Sequence, residues 1–184
     1  MKKIILFTSL FLIYTFQALS KELKLSEEIN GLRSPWSISF ISDSKALVTE
    51  KSGNLILVDF NIKKTKKIEH NLNVLDDGQG GLLEVLYYDN QIFVSYSENL
   101  KKGNSSTSVA VAKFNENSLN FKNIFRAEPP INSGDHFGSR LVIKDNLLYI
   151  TAGERGQGMI AQDPTKHPGS IIRIHLNGKI PKDN

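Results

Sequence analysis

Between Trp36 and Leu176 the apolar residues of this chain do not recur at helical spacing. They alternate with polar residues or cluster in short runs, and turn-forming residues bound each run. "WSISFI" (Trp36–Ile41), "KALVTE" (Lys45–Glu50) and "NLILVDF" (Asn54–Phe60) are separated only by Ser42-Asp43-Ser44 and Lys51-Ser52-Gly53. Small polar residues and glycine in such gaps favour hairpin turns, so the pattern predicts three antiparallel strands. The arrangement then recurs. "GLLEVLYY" (Gly81–Tyr88), a turn at "DN", "QIFVSYSE" (Gln91–Glu98), a polar loop and "TSVAVAKF" (Thr107–Phe114) form a second unit. "GSRLVI" (Gly138–Ile143), a turn at "KDN", "LLYITAGE" (Leu147–Glu154), a loop and "GSIIRIHL" (Gly169–Leu176) form a third. The first strands begin near Trp36, Leu82 and Gly138, a period of roughly fifty residues. Meanders repeating at that spacing are the signature of propeller blades, so the pattern predicts an all-β chain holding about three blades of a β-propeller. A β-sandwich also contains many short strands, but it does not require one unit to recur with its long loop in the same place. Pro129-Pro130, between the second and third units, ends a strand and stiffens a connector.

The N-terminus breaks this pattern. Lys2-Lys3 precede an apolar run from Ile4 to Phe16 that is interrupted only by Thr8, Ser9 and Thr15, and Ala18-Leu19-Ser20 follows. This is the layout of a signal peptide, and the run is short for a membrane span of about 20 residues. Residues 1–20 are therefore expected to be a leader removed near Ser20. Residues 21–184 are then an exported, periplasmic or secreted partial propeller with no membrane span after processing. The chain has 23 Lys and Arg against 19 Asp and Glu, a net +4 that falls to +2 without Lys2 and Lys3. The remaining lysines (Lys63, Lys64, Lys66, Lys67, Lys101, Lys102) lie in polar stretches read as turns, without interleaved aromatics, which argues against a nucleic-acid partner. There is no cysteine, which excludes thiol catalysis, thiolate metal sites and disulfides.

The sequence contains no GxSxG, no P-loop lysine motif and no HExxH. "GQGG" (Gly78–Gly81) and "GERGQG" (Gly153–Gly158) are glycine-rich, but neither opens a helix, so neither reads as a phosphate cradle. His70 falls in a polar connector and is expected to be exposed. His167 precedes a proline, and His175 alternates with Ile174 and Leu176 in a strand; none of the three suggests chemistry. His136 differs. It follows Asp135 at a loop-to-strand junction, between Gly134 and Gly138, and loops carried by a rigid sheet are where reactive groups concentrate. Residue pattern alone still favours a structural histidine there.

The strings "GLRSPWSISFISDSKALVTEKSGNLILVD", "GQGGLLEV", "VSYSE", "GDHFGSRLVI", "LYITAGER" and "AQDPTKHPGSIIRIHLNGKIPKDN" occur in an order and spacing that resembles the N-terminal half of the soluble, PQQ-dependent aldose sugar dehydrogenases of the glucose/sorbosone dehydrogenase group. The resemblance runs from about Leu25 to Asn184. It implies a six-bladed β-propeller that oxidises the C1 hydroxyl of an aldose to a lactone. The cofactors it implies are PQQ and calcium, and the electrons pass to an external acceptor. It matches His136 to a general base, and Gln79 and Asp135 to residues that contact the sugar. The "GERGQG" loop falls at the mouth of the site. The residues that clamp PQQ and calcium are expected beyond Asn184, so this chain is expected to be incomplete alone, with a C-terminal half chain as one conceivable partner.

The chemistry suits these residue types. Hydride can leave C1 only if the hydroxyl proton is taken at the same time, and an imidazole with an ordinary pKa near 6.5 can take it at neutral pH. Consecutive residues of a strand point to opposite faces, so Asp135 and His136 can share a site only if they lie in a turn. Two further readings follow from the same sequence. One is a non-catalytic binding module or gene remnant. The other is a calcium-dependent lactonase-type propeller, for which a carboxylate-held metal would be required.

Overall fold

The computed structural model describes residues 23–184; the leader predicted over residues 1–20 lies outside them. Twelve strands form three sheets. The first contains β1 (Pro35–Phe40), β2 (Lys45–Glu50), β3 (Leu55–Asp59) and β4 (Lys64–His70), an antiparallel meander with the two-residue β8 (Ser118–Leu119) added parallel to β4. The second runs β5 (Leu82–Tyr88), β6 (Gln91–Asn99), β7 (Ser105–Lys113) and β9 (Lys122–Arg126). The third runs β10 (Gly138–Lys144), β11 (Leu147–Ala152) and β12 (Ile171–His175). The turns at Asp89-Asn90 and Asp145-Asn146 have all four φ values between 48° and 59°. Asn and Asp tolerate this region, and two such residues in succession make the twist-matched hairpin turn.

The predicted strands are all present. Three more, β4, β8 and β9, lie where the sequence reads as polar connector. In β4 only Ile68 is buried, and Lys64, Lys66 and Lys67 are exposed. These are outer strands with little to cover them, so they carry no apolar alternation for a sequence reading to find. The lysines read as turn residues at positions 64, 66 and 67 are strand residues of the first sheet.

The sheets stack face to face. Alternation along β6 sends Ile92, Val94 and Tyr96 into one core with Leu47, Leu57 and Leu82 of the first two sheets. Phe93 points the opposite way, into a second core with Leu141, Leu148 and Ile150 of the third sheet. The middle sheet is therefore apolar on both faces.

Each unit carries the same irregularity and the same seam. The first strand of each sheet shifts register near its start, between Pro35 and Ser37, Leu82 and Val85, and Gly138 and Leu141. At each shift a backbone N–H, of Ser37, Glu84 or Arg140, donates to a hydroxyl on the second strand: Thr49, Ser95 or Thr151, at 3.1, 3.0 and 2.9 Å. Two of those hydroxyls donate onward to the next sheet, Thr49 to the Leu83 carbonyl at 2.5 Å and Ser95 to the Ser139 carbonyl at 2.6 Å. The three equivalent side chains also join across the sheets. The Ser37 hydroxyl donates to Glu84 Oε1 at 3.0 Å, and the Arg140 guanidinium donates to Glu84 Oε2.

Candidate functional site

The site is built on three loops that meet beside the first strand of the third sheet: residues 76–81 leading into β5, residues 131–137 leading into β10, and residues 153–158 leaving β11. Close backbone contact holds them. Gln79 N–H donates to the Gly134 carbonyl at 2.7 Å. A Cβ at Gly78 would stand 2.5 Å from that carbonyl oxygen, and one at Gly153 would stand 1.8 Å from the His136 carbonyl oxygen. Only glycine permits these approaches.

His136 lies in the turn before β10, as the sequence argument requires, and its φ of 47° is in the left-handed region. Its N–H donates to Gln79 Oε1 at 3.0 Å, and Asp135 N–H donates to Ser133 Oγ at 3.1 Å. Gln79, Asp135 and His136, the three residues singled out by the resemblance, are thus brought together and exposed. Among the described residues, no donor engages the Asp135 carboxylate.

The structure adds Glu154, which the sequence reading placed in the "GERGQG" loop without a role. Its Oε1 meets His136 Nδ1. An ionised carboxylate can only accept, so Nδ1 carries the shared proton, and in the neutral ring Nε2 presents its lone pair outward. Half of the His136 side chain is exposed. The hydrogen bond that His136 donates to Glu154, then the Glu154 charge, and to a smaller degree Asp135 hold the imidazole pKa above its ordinary value; slight desolvation opposes this. The same hydrogen bond is the main cause that lowers the pKa of Glu154, helped by backbone N–H groups including that of Gly156 at 3.1 Å.

The other histidines behave differently. His70 is half-buried rather than exposed. Its Nε2 donates to the Gly53 carbonyl at 2.8 Å, its Nδ1 accepts from Leu72 N–H at 3.3 Å, and its ring meets Phe121 edge-on. His167 Nδ1 accepts from Glu128 N–H at 2.9 Å. Both rings are structural.

The sequence pattern of the family described as Glucose / Sorbosone dehydrogenase matches residues 32–184. The chain belongs to this family. It is 32% identical over 160 residues to the aldose sugar dehydrogenase YliI of Escherichia coli K12, covering 82% of this chain and 43% of that protein. A solved glucose dehydrogenase superposes with a TM-score of 0.82 at 32% identity over 86% of this chain and 49% of its own. The PQQ-bound aldose sugar dehydrogenase of Streptomyces coelicolor superposes with a TM-score of 0.76 at 21% identity, over 87% of this chain and 50% of its own; at that identity the likeness speaks for the fold alone. The chain spans about half the length of the relatives it matches. The three stacked sheets of this glucose/sorbosone dehydrogenase family member are consecutive blades of a β-propeller.

Residues around His136 are a poor match for a polyanionic cofactor. Asp135, Glu154 and Asp77 are acidic, Arg155 is buried, and Arg140 is engaged by Glu84. Among the described residues no group of three or more His, Asp or Glu gathers as metal ligands. The described residues therefore do not by themselves fit PQQ or calcium. No helix among them is long and apolar enough to cross a membrane.

Proposed function

We propose that this protein takes part in oxidising the C1 hydroxyl of an aldose to its lactone, and that the described residues supply the proton-accepting, sugar-holding side of the site. The observation that carries this reading is the His136 Nδ1–Glu154 pair beside Gln79 and Asp135. Glu154 fixes the ring tautomer, so Nε2 is the acceptor for the C1 hydroxyl proton. As hydride departs from C1 and the carbonyl forms, the proton passes to Nε2, and the imidazolium that results is stabilised by the Glu154 carboxylate. The Asp135 carboxylate accepts hydrogen bonds from sugar hydroxyls. The Gln79 amide NH2 is a donor to them, since its oxygen is already held by His136 N–H. PQQ as the hydride acceptor, its calcium and an external electron acceptor come from the family resemblance. Their binding groups are sought outside the described residues, on this or another chain. Export to the periplasm or beyond rests on the leader pattern alone and predicts a mature N-terminus near Lys21, read by mass spectrometry of the protein from its host.

The deciding experiment fuses this chain to the matching C-terminal half of a family member, supplies PQQ and calcium, and follows sugar-dependent dye reduction. His136→Ala should cut turnover by roughly 10²–10⁴-fold, the usual worth of a general base. His70→Ala should leave the chemistry unchanged. Equal losses from the two would remove His136 from the reaction.

A further inference from the structure

Arg155 has no part in the proton transfer just described, yet it is 3% exposed, sits at a φ of 58°, and among the described residues bonds to no carboxylate. Burying a guanidinium is costly unless its donors are satisfied, and these are. Nε donates to the Asp135 carbonyl at 2.8 Å, Nη1 to the Ser105 carbonyl at 3.2 Å, and Nη2 to Ser105 Oγ at 2.8 Å and to the Ser133 carbonyl. The face of the guanidinium lies 3.6 Å from the centre of the Phe137 ring. Every one of these partners is in β7 or in the loop that carries His136.

We infer that Arg155 is a positioning residue for His136: its fork fastens the Ser133–Asp135 backbone to the start of β7, so that the imidazole stays seated against Glu154 and Gln79. The inference rests on the proposed role of His136. Two consecutive residues thus grip one loop from two sides. Glu154 holds the imidazole from the exposed side, and Arg155 holds the backbone from beneath. The left-handed conformation at Arg155, uncommon for a side chain of this size, turns the chain so that both reach the same loop. Burial lowers the Arg155 pKa to about 10, which leaves it charged at neutral pH. The charged groups that act on the His136 imidazole are Glu154 and the adjoining Asp135; Arg155 lies against the loop backbone at Ser133 and Asp135, and Asp77 Oδ2 lies beside Gly134.

The sign of one effect separates positioning from simple charge. Removing a neighbouring cation favours imidazolium and raises the His136 pKa. Loosening the loop weakens the Glu154 contact and lowers it. The test is diethyl pyrocarbonate acylation of the full 184-residue chain at low concentration. Peptide mass spectrometry reads the rate at each histidine, and the reagent reacts only with neutral imidazole. The rate of His136 at pH 6, divided by its plateau at alkaline pH, reports the titration independently of access. Arg155→Gln should raise that ratio about threefold, in the direction of Glu154→Gln, with His70 and His167 keeping their wild-type rates. An unchanged or lowered ratio overturns the inference. If Arg155→Gln also frees His70 and His167, Arg155→Lys decides. It keeps the charge and loses the fork, so a raised ratio supports positioning and an unchanged one refutes it. Full activity of His136→Ala in the fused enzyme would defeat the base assignment while leaving this titration result standing.

Discussion

Hairpin arithmetic brings His136 to the "GERGQG" loop but not to the right residue. Counting from the Asp145-Asn146 turn, where Lys144 pairs with Leu147, sets His136 opposite Arg155, and the register shift between Gly138 and Leu141 moves it opposite Glu154. Nothing in the glycine-rich sequence announces that shift. The pair has a pH consequence. Glu154 holds His136 protonated to higher pH than an ordinary imidazole, and the proposed base must be neutral to work, so activity of the fused enzyme should rise through that elevated pKa. Glu154→Gln should move the rise to lower pH and also reduce the plateau, because the ring loses its orienting partner. A pH–rate profile that does not move would separate Glu154 from catalysis. The raised His136 pKa favours folding fully below the ordinary value of 6.5, and this is lost as pH rises through the elevated one. The lowered Glu154 pKa favours folding fully above 4.5, and this is lost as pH falls through the depressed one. The pair is therefore worth most between those two ordinary values. His70, by contrast, was read as an exposed connector residue because nothing local in the sequence marks a ring that bonds to Gly53 across a gap of 17 residues.

At the level of elements, alternation revealed the inner strands because each is buried on at least one face, and it failed for β4 and β9 because outer strands have little to alternate against. The seating of the site depends on glycines whose meaning is tertiary. A Cβ at Gly153 would meet the His136 carbonyl oxygen at 1.8 Å and the Gly138 nitrogen at 3.1 Å, both backbone atoms that cannot swing aside. At Gly158, φ is +45° and nothing lies within 4 Å. Gly153→Ala should therefore displace the His136 loop and abolish activity of the fused enzyme. Gly158→Ala should cost only the left-handed penalty of about 1 kcal/mol and stay active. Comparable melting temperatures and rates for the two variants would contradict the close approach. Deeper in the blade, Leu148→Ala should cost about 2–5 kcal/mol, measured by denaturant unfolding, since Leu148 is fully buried in the second core.

For the whole molecule, the recurring unit of roughly fifty residues was the decisive signal, because a repeat announces an architecture that no single strand could. It also leaves apolar side chains on the outer face of the first sheet. Trp36, Ile38 and Phe40 alternate along β1 with exposures of 41%, 51% and 60%, and Phe40 stacks on Phe60 at 5.9 Å. A contiguous apolar strip on an open sheet favours association. The chain expressed from Lys21 should run larger than a monomer in gel filtration, and Ile38→Lys with Phe40→Lys should shift it toward monomer size. A wild-type chain that already elutes as a sharp monomer would contradict this.

The hydroxyl seams between sheets carry one more implication. Thr49 and Ser95 each accept a hydrogen bond from the bulge of their own sheet and donate one to the carbonyl of the next, and Leu83 and Ser139, whose carbonyls accept them, hold the same place in successive units. The middle unit therefore contains both halves of the joint, Ser95 giving and Leu83 receiving. Duplicating the coding segment for one unit in tandem would produce a neighbour that already fits, with no new contact to be invented at the junction. Growth of such a ring by gene duplication then needs only an in-frame copy, and the side chains at the position of Ser37, Glu84 and Arg140 can diverge afterwards into the further contacts they make between sheets.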